Sequence, residues 1–265
     1  MKQNYSQLWN HENPSLWAII ILLLLSIPVH FFDKQLFQLL NGIHWPLTDI
    51  FWLSFTTLGD GLLICMILGC FLLINPRITA LGLTVFLISS ITVNLIKYAV
   101  PSARPLELLQ VVHITGPILR WGSFPSGHTA AGFSACLAIA GYAQGNLFKG
   151  MVLLVASLIG FSRIFVGAHF PSDVLWGCIC AVVVFHVVTF TIWPKIKALT
   201  PPVPDFGNIL FKCLFFAQCG ISLFGLLVYS IRFSEYPPAA IAISVGVIVF
   251  MCLKMHEIVP IIKNR

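Results

Sequence analysis

The chain has 265 residues, of which 58% are hydrophobic and only 9% charged, with a net charge of +6 and a mean hydropathy of +0.94. A soluble domain carries about a quarter charged residues, so this composition excludes a soluble globular protein and predicts an all-α, polytopic transmembrane helical bundle. The positive balance would suggest nucleic acid in a soluble chain; here it reads as Lys and Arg of cytoplasmic loops, and no nucleic-acid partner is expected.

Residues 1–15 are polar. Residues 16–29, extended by Phe31 and Phe32, are apolar and long enough to cross a bilayer with a tilt. No small-residue cleavage site follows, which reads as an uncleaved signal anchor. Residues 33–49 are mixed and aromatic and read as a short interfacial helix and a turn, with Trp45 and Pro46 at headgroup level. A second span is expected over residues 50–74, with Gly59-Asp60-Gly61 inside it. Asp60 there is either a carboxylate supporting a site or a residue in a water-filled mouth. After the turn Asn75-Pro76-Arg77, a third span covers 78–100, and 101–124 form the longest polar loop.

Spans four to six follow over 127–143, 147–166 and 173–193. Residues 194–207 read as a proline-rich cytoplasmic linker, and the apolar runs 208–231 and 238–258 complete eight expected spans. The domain reading is therefore a six-span core over 1–193 and two additional spans with a tail over 208–265. The eight cysteines lie in apolar runs without a pairing or metal-site pattern and read as small buried hydrophobes. With a cytoplasmic N-terminus, most Lys and Arg fall inside, leaving Lys34, Arg120 and Arg232 outside besides three cations considered next. The long loop and the polar ends of spans three to six then face out.

On that outer face three segments converge. Lys97 and Arg104-Pro105 close the third span, Pro125-Ser126-Gly127-His128 opens the fourth, and Ser162-Arg163, His169 and Asp173 bridge the fifth and sixth. Charged groups at membrane depth are costly unless they face a cavity or each other, so they are functional candidates by default. Phosphoryl transfer needs cations around three equatorial oxygens, an in-line nucleophile and a proton for the leaving oxygen. Lys97, Arg104 and Arg163 supply the cations, and an Arg fork matches phosphate geometry. Ser126 and Gly127 sit where free helix N-terminal N–H groups bind anions. His169, with Asp173 four residues on, matches a nucleophile whose second ring nitrogen is held by a carboxylate. Pro171 starts the sixth span just after it. His128 matches a general acid that later activates water.

In this order and spacing, the three segments resemble the tripartite signature of the type 2 phosphatidic acid phosphatase superfamily, over about residues 47–190. Each piece alone is weak; the three together, each at a span end on one face, are specific. The resemblance implies a membrane-embedded lipid phosphate phosphatase in which His169 becomes a phosphohistidine, Asp173 orients it and His128 is the general acid. It also implies no metal or other cofactor, and the nine carboxylates along the chain form no obvious metal cluster. The partner is a lipid phosphate drawn from the bilayer. Family substrates are phosphatidic acid, phosphatidylglycerol phosphate, undecaprenyl diphosphate and lipid A phosphates, and a bacterial inner membrane with a periplasmic site fits the expected orientation. A lipid-to-lipid phosphotransferase carries the same motifs, and a lipid-binding or transport protein would show damage at His128, His169 or Asp173, of which there is none.

Plainer readings stand beside these. A histidine on an apolar face is usually a satisfied core residue, the reading given to His30, His186 and His256. His11, His44 and His113 read as loop or interfacial residues. Lys97 and Arg104, taken singly, can be snorkelling span ends. Arg120, next to Trp121, reads as either a headgroup contact or an interfacial anchor.

Overall fold

The computed structural model describes residues 14–119, 122–231 and 238–263. Arg120 and His11 lie outside the described residues. The elements are helical, with no strand among the described residues. In chain order they are α1 (Pro14–Phe31), α2 (Asp33–Asn41), α3 (Pro46–Leu58), α4 (Gly61–Cys70), α5 (Pro76–Ala99), the single turn α6 (Pro105–Leu108), α7 (Gly127–Tyr142), α8 (Asn146–Phe165), α9 (Pro171–Thr191), α10 (Trp193–Leu199), α11 (Ile209–Ile231) and α12 (Pro238–Lys263).

The starts of these helices follow local chemistry. Pro76 and Pro171 occupy first-turn positions that need no N–H donor. Asn75 caps α5 by accepting from the Arg77 N–H at 3.2 Å, and Ser126 caps α7. Asp60 caps α4, its Oδ1 accepting from the N–H groups of Leu62 (2.9 Å) and Leu63 (3.3 Å).

α7 is the hub, packed by α5, α8 and α9. Apolar burial drives little association between helices already in lipid; close backbone approach by small residues replaces it. The α7 sequence is built for that: Ala130, Ala131, Gly132, Ser134, Ala135 and Ala138 are buried along it. Five helices are long and apolar enough to cross a membrane, or up to seven if the bent pairs α1–α2 and α3–α4 each count as one span. The expected fourth span is α7, whose 16 residues give about 24 Å at 1.5 Å per residue, shorter than the other long helices; it starts at the end of the bundle where α5 and α8 finish and runs back between them.

The second expected span is not straight. α3 and α4 meet at 67°, where Gly59 and Asp60 interrupt the helix. A Cβ on Gly59 would come within 2.7 Å of Ile159 Cγ2 and 3.0 Å of the His128 carbonyl oxygen, so the break presses directly against α8 and α7. The first bend is larger, 84° between α1 and α2. α2 docks on protein: Asn41 Nδ2 donates to the carbonyl oxygens of His113 (2.9 Å), Ile164 (3.2 Å) and Phe165 (3.1 Å).

A close helix crossing against backbone lies under the site. A Cβ on Gly177 of α9 would sit 2.5 Å from the Ser126 carbonyl oxygen, a backbone atom that cannot swing away. Gly177→Ala therefore overpacks the α7–α9 contact and should destabilise the protein by about 1–3 kcal/mol. Thermal unfolding in detergent reads this as a lower transition, accompanied by weaker activity because Ser126 moves.

Residues 194–207 are not a loose linker throughout. α10 occupies their first half, and its Trp193 is buried with Leu81, Val85 and Val184; Arg77 Nε then donates to the Thr200 carbonyl oxygen at 3.0 Å. α11 and α12 pack on each other and on α4, burying Leu63, Met66, Phe211, Phe215, Tyr229 and Met251 in one cluster. The core reading of three histidines is corrected as well. His30 and His256 are exposed on the helix surface and His186 is half-buried, because single faces of lipid-side helices have no core to enter. His44 and His113 are loop residues, their rings stacked at 4.0 Å. All eight cysteines are unpaired.

Candidate active site

The three motif segments meet at one end of α7. Arg163 lies in the last turn of α8, His169 in the short turn to α9, and Asp173 in the first turn of α9. The i, i+4 spacing brings His169 Nδ1 to 3.4 Å from Asp173 Oδ2, with both side chains buried. Asp173 Oδ2 also accepts from Ser123 Oγ at 2.5 Å and from the Phe170 N–H at 3.0 Å. That anchoring leaves the imidazole ring to turn its other nitrogen, Nε2, toward Arg104, whose Nη1 is 3.4 Å away.

Arg104, 6% exposed, does more than end a span. Its Nη1 donates to the Ala168 carbonyl oxygen (2.8 Å) and its Nη2 to that of Gly122 (3.2 Å). Lys97 Nζ donates to the carbonyl oxygens of Gly122 (2.5 Å) and Ser123 (3.3 Å). The snorkelling reading of both is thus replaced by a stitched loop in which two cations hold residues 122–123 beside His169. Arg163, 4% exposed, donates from Nη1 to Thr56 Oγ1. Its Nε and His169 Nδ1 are the buried side-chain nitrogens without a hydrogen-bond partner among the described residues. Native structures leave few such groups unexplained. Burial first, then the charges of Arg163, Arg104 and Lys97, push the His169 imidazole well below its ordinary pKa, so the ring is neutral. Burial likewise lowers the Arg104 pKa, against the opposing pull of Asp173 and Glu107, and a guanidinium still stays charged.

A cavity of about 130 Å³ opens beside these groups, lined among others by Thr56, Asp60, Arg104, His128 and Arg163. The cavity gathers Asp60, Arg104, His128 and Arg163; His169 and Asp173 do not line it and join the group through the 3.4 Å approach of His169 Nε2 to Arg104 Nη1. Ser126 takes a different part from the one expected. Its N–H donates to the Asp173 carbonyl oxygen at 2.9 Å, and its hydroxyl accepts from Thr129 Oγ1 at 2.9 Å, so the N–H groups of Gly127 and His128 remain as the first-turn donors. Ser162 turns into its own helix, donating to the Ile159 carbonyl oxygen at 2.6 Å, and does not reach the site. Sequence reading missed Ser123, Thr56 and Tyr229. Ser123 sits two residues before Pro125, and its proximity to that motif was the signal available. Thr56 and Tyr229 carried none, since other weakly polar residues stand beside them, Ser54 and Thr57 for the one and Ser230 for the other, and nothing local singles either out.

Known proteins resemble this chain in sequence and in fold. The PAP2 superfamily profile matches residues 78–197, the stretch that carries all three segments. The chain is similar to the PAP2 superfamily over that stretch, just under half of its length. A lipid A 4'-phosphatase from Bacteroides thetaiotaomicron is 23% identical over 217 residues, covering 75% of this chain and 95% of that protein. Among solved structures, LpxE of Aquifex aeolicus superimposes with a TM-score of 0.57 at 29% identity, covering 60% of this chain and 95% of that one. A transmembrane PAP2-type phosphatidylglycerolphosphate phosphatase of Bacillus subtilis shares the fold, with a TM-score of 0.53 at 22% identity over 66% of this chain and 94% of that one. The chain is an integral membrane protein whose α11–α12 pair lies beyond the matched stretch.

Proposed function

We propose that this protein is a PAP2-type lipid phosphate phosphatase that removes a terminal phosphate through a phosphohistidine on His169. The observation that carries the reading is Arg163 Nε, a buried donor with no partner among the described residues, on a residue that lines a cavity shared with Arg104 and His128. A phosphate oxygen is the acceptor such a donor is suited to, and Arg104 and Lys97 add the remaining charge.

In the first step His169 Nε2 attacks phosphorus and the bond to the lipid alkoxide breaks, with His128 giving that oxygen its proton. In the second, His128 takes a proton from water, whose oxygen attacks phosphorus and frees His169 and inorganic phosphate. A neutral His169 is the competent form for the first step, and the depressed pKa noted above supports it. The cations Lys97, Arg104 and Arg163 do the charge stabilisation that metal ions do elsewhere. The small cavity suits a phosphate group, leaving acyl or prenyl chains in the bilayer. The site faces outward in this reading, on the periplasmic side of a bacterial inner membrane, with basic loops inside.

Purified protein in detergent with EDTA should release phosphate from at least one of phosphatidic acid, phosphatidylglycerol phosphate, undecaprenyl diphosphate and a lipid A phosphate. Release abolished by EDTA would overturn the metal-independent chemistry. Release that requires an added acceptor lipid would make the protein a phosphotransferase, and binding of all four lipids without turnover would reject an enzyme.

A further inference from the structure

Asp60 is an oddity in a pocket for an anion: a carboxylate lining the same cavity as Arg104, Arg163 and His128. Its Oδ1 is saturated. It accepts from the Leu62 and Leu63 N–H groups and, at 2.5 Å, from the hydroxyl of Tyr229 on α11. Tyr229 is 1% exposed, among the largest fully buried side chains of the protein. Three donors converging on one oxygen fix the rotation of the carboxylate. Oδ2 takes no hydrogen bond from the described residues. A fixed acceptor beside a bound phosphate repels phosphate oxygens, so the group that meets it has to be a donor.

We propose that Asp60 is a specificity-determining acceptor for a hydroxyl next to the phosphorylated carbon of the substrate, and that Tyr229 is the positioning residue that aims it. This rests on the phosphatase reading above and narrows it to phosphate esters of polyol or sugar headgroups, as against phosphatidic acid or prenyl diphosphates, which have no such hydroxyl. It also gives the C-terminal pair a part in the site. Neither Asp60 nor Tyr229 falls within residues 78–197, so the feature stands outside the matched superfamily stretch. A hydrogen bond to a charged group typically changes an equilibrium or rate by about tenfold or more, and a site built for a hydroxyl rejects the analogue lacking it.

The test uses the full chain and two hydroxylated probes, phosphatidylglycerol phosphate and a glucosamine 4-phosphate glycolipid. Each is compared with its analogue lacking the neighbouring hydroxyl, and phosphatidic acid is run alongside. The wild type should prefer the hydroxylated member by about tenfold or more in kcat/KM. Asp60→Asn keeps the α4 cap and turns the open acceptor into a donor, so the preference should collapse. Tyr229→Phe should weaken it, and the double variant should be no worse than Asp60→Asn, since coupled residues are not additive. A purely structural role would instead lower all substrates together. The proposal is overturned by a wild-type ratio near one, by a preference that survives Asp60→Asn, or by turnover of phosphatidic acid alone; in each case the phosphatase reading still stands. Turnover of no lipid phosphate would remove that reading and this one together.

Discussion

His169→Ala protein, purified in the same detergent as wild type, is expected to lose phosphate release by on the order of 10⁴-fold or more, as removal of a covalent nucleophile does. The residue is 2% exposed and lies between an anchored carboxylate at 3.4 Å and the Arg104 guanidinium at 3.4 Å. No neighbouring side chain can take over attack from that point. The truncated ring leaves Asp173 held by Ser123 and the Phe170 N–H, so the fold should survive, which thermal unfolding would verify. The companion measurement is isotopic. With labelled lipid phosphate, wild-type protein quenched within a turnover should carry an acid-labile, base-stable phosphate on His169. Substantial turnover by a folded His169→Ala variant would remove the covalent mechanism.

Asp173→Asn should lower kcat by on the order of 10²–10³-fold while leaving KM within about threefold, because a carboxylate that orients a histidine acts on the reacting state rather than on binding. An Asn can place its carbonyl oxygen where Oδ2 accepts from Ser123 and Phe170, so the geometry persists. What disappears is the negative charge facing His169 Nδ1. In the proposed intermediate, with the phosphoryl group on Nε2, the ring is cationic and needs that charge. Lys97, Arg104 and Arg163 are untouched, and in the proposed mechanism they carry the ground-state attraction to the phosphate. A KM rise with unchanged kcat would instead place Asp173 in binding.

The contrast between the two ends of the molecule shows what a linear reading can reach. The apolar runs announce their helices because a backbone in lipid has to close its own hydrogen bonds. The catalytic segments announce themselves because charges at that depth are expensive. Spacing alone also carries the His169–Asp173 pair, since four residues across a Pro171 helix start is a local geometry. The two bends were illegible for the opposite reason. Gly59 breaks a span because α7 and α8 approach it, a fact about Ile159 and His128 and not about its neighbours in sequence. Ser126 was assigned free donors because nothing local says that α9 takes its N–H.

The sequence by itself determined the membrane class, the long apolar helices and the motif cluster of Arg104, Arg163, His169 and Asp173, because each depends on composition, short-range periodicity or a motif only a few residues long. Tertiary structure alone decided how those side chains are held: Ser123 on Asp173, Thr56 on Arg163, and Tyr229 on Asp60 across 169 residues of chain. These are hydrogen bonds between residues far apart in the chain, on a loop, at helix starts and on helix faces. Their partners are chosen by which helix faces pack together, and no repeat or spacing along the chain encodes that choice.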